Sequence, residues 1–463
     1  MSDFDTIIRH GTLITPDGVN QTDIGVAEGK IAALGRELPG SAREEIDAHQ
    51  CHLFPGVIDT AVHFNEPGRV DWEGIETGSR AVAAGGGSCF FDMPLNAHPP
   101  TCDVASFELK LAAALNKSVT DFALWGGLVP HNLEQIERLA ERGVIGFQAF
   151  MSDSGIDDFP RADHVTLRKG MKRAASVGRI VSVHTESESL TQRLAQEKMT
   201  RGLTSARHYL DSRPIEAELE AIRNALDMAG DVDCKLHVPR VSCAESVALI
   251  TEAKKRGADV SCGTSPHYLV LTENDTLKLG AVAKCAPPLR PPRERDDLWE
   301  PVIAGEVASI ASDHSPCPPE LKRDTNFFKT RGGISGAQHL LPLLIGARES
   351  IDHFGGSTGE APTLPAKALA LIARLTSLNI AERFGLPKTK GRIAIGADAD
   401  FAIVDFREKY RVRAEELFYR HQQSPYVGRT LTGRVVQTIL RGQTIFKRDK
   451  IVNLRRGQFI KPL

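Results

Sequence analysis

The chain has 463 residues, enough for one large domain with a smaller companion or for a single decorated barrel. Apolar residues make up 41% and charged residues 25%, which excludes a disordered chain. The formal net charge is −2 with Lys and Arg scattered, so nothing points to nucleic acid or a membrane surface as partner.

The opening MSDFDTIIRHGTLIT carries acids early and lacks a signal-type apolar core, and no apolar run reaches membrane-spanning length. The eight cysteines (Cys51, Cys89, Cys102, Cys234, Cys243, Cys262, Cys285, Cys317) include no C-x-x-C pair. They are expected to be reduced thiols of a cytoplasmic protein.

In chain order, short β-type runs come first: TIIRHGTLIT, DIGVAEGKIAALG and EEIDAHQCHLF, separated by Gly and Asp turns. The same texture returns in GRIAIGADADFAIVD, RVVQTILRGQTIFK and DKIVNL. Two β-rich flanks predict a small sheet domain, a β-sandwich, assembled from both termini. Between them, eight apolar runs follow in order: GVIDTAVHF, SCFFDMPLN, FALWGGLVP, GVIGFQAFM, RIVSVHTES, KLHVPRVS, DVSCGTSPHYL and VASIASDHSP. Helical segments such as SFELKLAAALN, NLEQIERLAERG, VTLRKGMKRAASVG, IEAELEAIRNALDMAG and AESVALITEAKKRG alternate with them, and several end in Gly. Continuous apolar strands alternating with amphipathic helices imply a covered parallel sheet, and eight units imply an α/β (βα)8 TIM barrel. An open doubly wound sheet is the alternative, and no G-x-G-x-x-G after the first strand supports it. The expected division is 1–53 and 388–463 for the small β domain and 54–387 for the barrel.

Side chains at the carboxyl ends of barrel strands converge on one mouth. Those ends carry Asp59 and His63, Asp92 and Asn96, Gln148, His184 and Glu186, Arg240 and Ser242, His267, and Asp313 with His314. One such histidine is unremarkable, but a ring of His, Asp and Arg is costly unless paired, hydrated or bound to something.

The stretch PGVIDTAVHFNEPGR resembles the first-strand motif of cyclic amidohydrolases, allantoinases in particular. DMPLNAHPPT, GVIGFQAFMSDSGI, SPHYL, KCAPPLR, ASDHSPCPPELK, GGISG and SPYVGRTLTGRV are similar to that family in order and spacing. Asn65 stands where dihydroorotases usually place an Arg for the substrate carboxylate, which resembles the allantoinase branch. The resemblance implies a homo-oligomeric (dimeric or tetrameric) hydrolase that opens a cyclic amide or ureide. It also implies two divalent ions held by an H-x-H pair, a carboxylated Lys, two further His and an Asp.

Carried over by position, the ligand set is incomplete. The H-x-H pair reads Ala61-Val62-His63, the Lys position is Gln148, and the sixth-strand His position is Arg240. His63, His184 and Asp313 remain as metal candidates; in the family pattern they are split between two ions, so at most one zinc-like divalent ion, or none, is expected. Arg240 adds a permanent charge where a cation would sit. The remodelled reading makes Asp313, Arg240 and His184 catalytic. Arg240 pairs with Asp313 and stabilises charge on a substrate carbonyl, Gln148 acts as a neutral hydrogen-bonding group, and His184 or His63 serves as base or acid. Asn65, Asn96, Gln148, Ser315 and Gly333 are the expected substrate-binding residues. Two alternatives stand beside this: an inactive homologue that binds a ligand or an active partner subunit, and a metal-free lyase or isomerase reusing the pocket.

Other residues receive plain readings. Cys317 is an inert buried thiol, Cys243 and Cys262 are wrongly spaced to replace lost ligands, and His267 is structural. Ala84-Gly85-Gly86-Gly87 is a tight helix-to-strand turn, Arg69 and Glu73 are loop residues, and SARHYLDSRP with His208 is an exposed segment.

Overall fold

The computed structural model describes residues 2–347 and 364–463. The eight apolar runs form the barrel strands β1 (Val57–Val62), β2 (Gly87–Asp92), β3 (Asp121–Leu124), β4 (Gly146–Phe150), β5 (Ile180–His184), β6 (Leu236–Val238), β7 (Val260–Thr264) and β8 (Ser309–Ile310). Neighbours pair in parallel, β1 with β2, β2 with β3, and β4 through β8 in sequence. A two-residue extension of the third strand, Gly126–Gly127, pairs with β4 and joins the two arcs. His63 N donates to His314 O at 2.8 Å and a parallel bridge links Val62 to His314, so the ring closes. Strands covered on both faces lose every solvent-facing position, which is why they read as unbroken apolar runs.

Helices α1 (Ile75–Ala84), α2 (Val104–Lys117), α3 (Ile136–Arg142), α4 (His164–Ser176), α5 (Glu188–Thr200), α6 (Ala206–Asp211), α7 (Ile215–Asp231) and α8 (Ala244–Lys255) lie among these strands. Their ends follow local chemistry. Asp103 and Asp163 accept backbone N–H groups from Ser106 and Thr166, each at 2.8 Å, and Gly143 stops α3 at φ 97°.

The flanks meet. The C-terminal strand Phe401–Arg411 pairs antiparallel with His52–Pro55, in a seven-stranded sheet that also holds Thr12–Thr15, Gly18–Gln21 and Thr430–Leu440. A four-stranded sheet built from Phe4–Arg9, Asp23–Ala27, Lys30–Gly35 and Ala42–Asp47 completes the small β-sandwich. Its apolar core mixes both ends of the chain: Ile8, Ile24, Val26 and Leu53 with Phe401, Ile403 and Ile439. The GRIAIGADAD run departs from expectation. It forms turns with only a bridge at Asp398, because Gly391 (φ 75°) and Gly396 (φ 84°) bend the backbone out of any strand.

Beneath the barrel a buried ion cluster ties the two parts together. Lys390 Nζ reaches Asp121 Oδ2 at 2.6 Å, Asp400 Oδ2 at 2.7 Å and Asp398 Oδ2 at 2.9 Å, and Arg441 also binds Asp121. Asp121 begins β3, so the cluster sits at the amino end of the strands, the face that serves stability. Lys390→Met would leave buried carboxylates without their shared cation. A loss of about 3–5 kcal/mol of unfolding free energy is expected, measured by urea denaturation; a loss under 1 kcal/mol contradicts this role.

Candidate active site

At the carboxyl ends of the strands lies a cavity of about 760 Å³. Its wall takes His63 from the end of β1, Phe150 from β4, His184 from β5, Arg240 from the loop after β6 and Asp313 from beyond β8. Arg240 donates to Asp313 Oδ1 at 2.8 Å, and both side chains are only 8% exposed. His63 Nε2 stands 4.0 Å from the same oxygen, too far for a hydrogen bond, and its Nδ1 has no partner. Burial, then the Arg240 charge, push the His63 imidazole well below its ordinary range, so it is neutral. Burial raises the Asp313 carboxyl, against the lowering influence of Arg240.

A second constellation lies at β5. His184 Nε2 is 2.8 Å from Glu186 Oε2, and Arg213 donates to that same oxygen. Burial alone would raise the Glu186 carboxyl, but the Arg213 charge and the His184 bond hold it at about 2. An ionised carboxylate only accepts, so His184 carries its proton on Nε2 and leaves Nδ1 as a free lone pair. That Nδ1 has no protein partner, and burial lowers the imidazole below its ordinary value despite Glu186. The His184 ring stacks on Phe150 (centroids 4.7 Å apart), and the Arg240 guanidinium lies 5.5 Å from the same phenyl ring.

The donor set does not fit a two-metal centre. Ala61 belongs to the apolar cluster inside the barrel with Phe91, Trp125 and Ala311. Gln148 is fully buried and donates to Ala149 O at 3.1 Å, with Oε1 unpartnered. Among the described residues no three His, Cys, Asp or Glu form a metal-holding group, and His63, His184 and Asp313 are no exception. Cys243 faces Ser246 Oγ at 3.2 Å and Cys262 faces Glu306 O at 3.9 Å, both off the cavity wall.

Of the residues expected from sequence, His63, Asn96, His184, Arg240, Asp313, Ser315 and Gly333 line the cavity. Asn65 and Gln148, also expected to bind substrate, are not on that wall. Asn65 is turned into the wall, where its Nδ2 donates to Pro316 O at 3.3 Å and ties the end of β1 to the loop after β8. Asn65, Asn96 and Asp313 all adopt left-handed backbone (φ 63°, 70° and 48°), a strain that clusters at functional sites. Gly333 has φ 119°, and a Cβ there would stand 2.1 Å from Ser315 O. Ser242 is bound by Glu218 and Arg290, burial raises the Cys317 thiol, and His267 is buried off the wall with both ring nitrogens unpartnered.

Sequence reasoning missed Arg69, Trp72, Tyr209, Arg213, Lys284 and Arg331, all on the wall. SARHYLDSRP is not merely exposed, because α6 and the turn after it bring Tyr209 and Arg213 to the cavity. Arg69 likewise does more than populate a loop. These residues come from connections rather than strand ends; the one available signal was the recurrence of Arg and Lys in the loops after β1, β5, β7 and β8.

A model of the amidohydrolase family matches residues 52–445. The chain belongs to the amidohydrolase family. Within it, this amidohydrolase is 50% identical over 462 residues to an allantoinase of Rubrobacter xylanophilus, covering 100% of this chain and 98% of that protein. It is 48% identical to an allantoinase of Solibacter usitatus, covering 98% and 96% respectively. Among solved structures it is similar to the L-hydantoinase (dihydropyrimidinase) of Arthrobacter aurescens, with TM-score 0.92, 30% identity and coverage of 99% and 100%. The dihydropyrimidinase of Brevibacillus agri gives TM-score 0.89 at 28% identity, covering 100% and 99%. The amidohydrolase is thus allantoinase-like over its whole length, with a ligand set that no longer forms the two-metal centre.

Glu186 supplies a pH test. Its folded value of about 2 lies below the ordinary 4.5, so its stabilisation is complete above pH 4.5 and lost as pH falls toward 2. Glu186→Gln should cost about 3 kcal/mol at pH 7, and the unfolding curves of variant and parent should converge below pH 4.5. Parallel curves down to pH 3 would contradict the ion pair.

Proposed function

We propose that this amidohydrolase opens the ring of a cyclic ureide of the allantoin kind by hydrolysing a ring C–N amide bond without a metal ion. The observation that carries the reading is the pairing, across one cavity, of a neutral His184 backed by Glu186 and Arg213 with a guanidinium, Arg240, fixed by Asp313. The full-length similarity to allantoinases supports the substrate class.

In this mechanism the Nδ1 lone pair of His184 takes a proton from water, and the oxygen attacks the ring carbonyl carbon. Arg240 donates to the developing oxyanion, with Asp313 holding the guanidinium in place. The C–N bond then breaks, the imidazolium returns its proton to the departing nitrogen, and a carboxylate with a free ureido group results. His63, neutral, lines the same cavity with its Nε2 toward Asp313.

Ring opening of allantoin, hydantoin and dihydroorotate, assayed with and without chelator, tests the reading. Activity should survive the chelator, and Arg240→Met should lower kcat by about 10²–10³, the effect of losing one oxyanion donor. Two equivalents of zinc in the active protein would overturn the mechanism. Because burial lowers His184, kcat/KM should stay level as pH falls to 6.5 and decline only below it, where the imidazole protonates. If the parent is inert on every ring while Ala61→His/Gln148→Lys/Arg240→His gains metal and activity, the protein is a non-catalytic relative instead.

A further inference from the structure

The cavity wall carries more positive charge than its own carboxylates answer. Arg240 is held by Asp313, Arg213 by Glu186, and Arg69 by Asp158 at 3.2 Å. Arg331 and Lys284 have no carboxylate within 4 Å among the described residues. Lys284, 4% exposed, donates to Phe327 O and Thr330 O at 2.6 Å each, and so points its charge into the loop that carries Arg331. Arg331 donates one N–H to Asn96 Oδ1 at 2.7 Å and one to Gly155 O at 2.5 Å. Both acceptors are neutral, and three of its five N–H groups remain uncommitted. Arg69 joins it, donating to Asn96 O at 3.0 Å. The two guanidinium groups lie 5.7 and 5.4 Å from the centre of one indole, Trp72.

A guanidinium withdrawn from water is costly without a counter-charge. Here two of them are crowded onto one ring; Asp158 binds Arg69 and His98, and Asp153 adds its charge from the same loop without touching Arg331. Burial, with the Arg69 charge adding to it, lowers the Arg331 value. The planar fork of Arg331 beside Asn96 suits one ligand chemistry, a carboxylate bound by two parallel N–H groups.

We infer that Arg331, supported by Arg69, Trp72 and Asn96, forms a carboxylate subsite at the cavity mouth, so that the bound molecule presents both a ring amide or ureido group and a carboxylate. The inference rests on the ring-amide reading only for the ring amide or ureido half of that ligand. Two sources share the chemistry: a carboxylate substituent already on the ring, or the carboxylate that ring opening creates.

Isothermal titration of the full-length protein with hydantoin, hydantoin-5-acetate, hydantoic acid and succinate tests it. Hydantoin-5-acetate or hydantoic acid should bind roughly tenfold to a hundredfold more tightly than hydantoin. Preference for the first marks a carboxylated substrate, and preference for the second a product carboxylate. The advantage should vanish in Arg331→Gln and survive in part in Arg331→Lys, which keeps the charge but loses the latch to Gly155. An advantage that persists in Arg331→Gln, or a parent in which neither succinate nor the carboxylate-bearing ring and ureido probes bind more tightly than hydantoin, overturns the subsite. Succinate separates the two readings: Arg331-dependent succinate binding with no binding of any ring or ureido probe upholds the subsite and overturns the cyclic-amide reading.

Discussion

The ion pair between Arg240 and Asp313 sets the chemistry of everything around it. A guanidinium does not give up its proton at any pH the fold survives, so the centre of the mouth holds a permanent positive charge. At an effective dielectric of 20, two unit charges 4 Å apart repel by about 4 kcal/mol, and a divalent ion would double that. Asp313, the one acid placed to receive a cation there, already spends an oxygen on Arg240. His63 is driven neutral by burial and by the same charge. One substitution therefore removes a ligand, occupies another and disfavours any ion that approaches.

The barrel separates the tasks of holding and doing. At its amino end, Lys390 and Arg441 join β3 to the small sandwich through Asp121, Asp398 and Asp400. At its carboxyl end, strand termini deliver His63, His184 and Asp313, while loops deliver Arg69, Arg213, Lys284 and Arg331. The loops are cross-tied rather than free: Arg331 binds Asn96 and Gly155, Lys284 binds the 327–330 turn, and Arg69 binds Asn96 and Asp158. Such bonds fix where each charge sits before a ligand arrives, which is the condition for electrostatic stabilisation to act.

The barrel was legible because strands buried on both faces become continuous apolar runs, and the turns between them need Gly, Pro and polar residues. The meeting of the two flanks was only suggested by texture, since antiparallel pairing of His52–Pro55 with Phe401–Arg411 spans most of the chain and leaves no local trace. The GRIAIGADAD run shows the opposite failure: Ile393 and Ala397 are buried as a strand would bury them, yet glycines turn the backbone. At the site, residues at strand ends could be placed by counting from the apolar runs, and the Arg240–Asp313 pair was foreseen on that basis. The loop cations could not, because nothing in their spacing says which loop folds inward. Asn65 follows β1 and bonds back to the loop after β8, and Gln148 shares the face of Phe150 but lies fully buried one step below it, a difference of depth that position alone does not encode.

The three altered ligand positions bear on whether the pocket has decayed or been rebuilt. Simple loss of a metal site would strand acids that once faced cations, and buried unpaired carboxylates are expensive. Here Asp313, Glu186 and Asp158 each hold an arginine. Ala61 is absorbed into an apolar cluster, and Gln148 replaces an anion-forming lysine with a neutral amide, so no negative charge is left to balance. Among the described residues Arg331, on the cavity wall, has no carboxylate within 4 Å, whereas Lys284 turns into the 327–330 loop, where burial lowers it to about 7. On the cavity wall Asp313 and Asp158 are answered by arginines, while the exposed Asp153 and Asp157 stay in water. The substitutions are therefore better explained as one electrostatic rearrangement than as three separate losses.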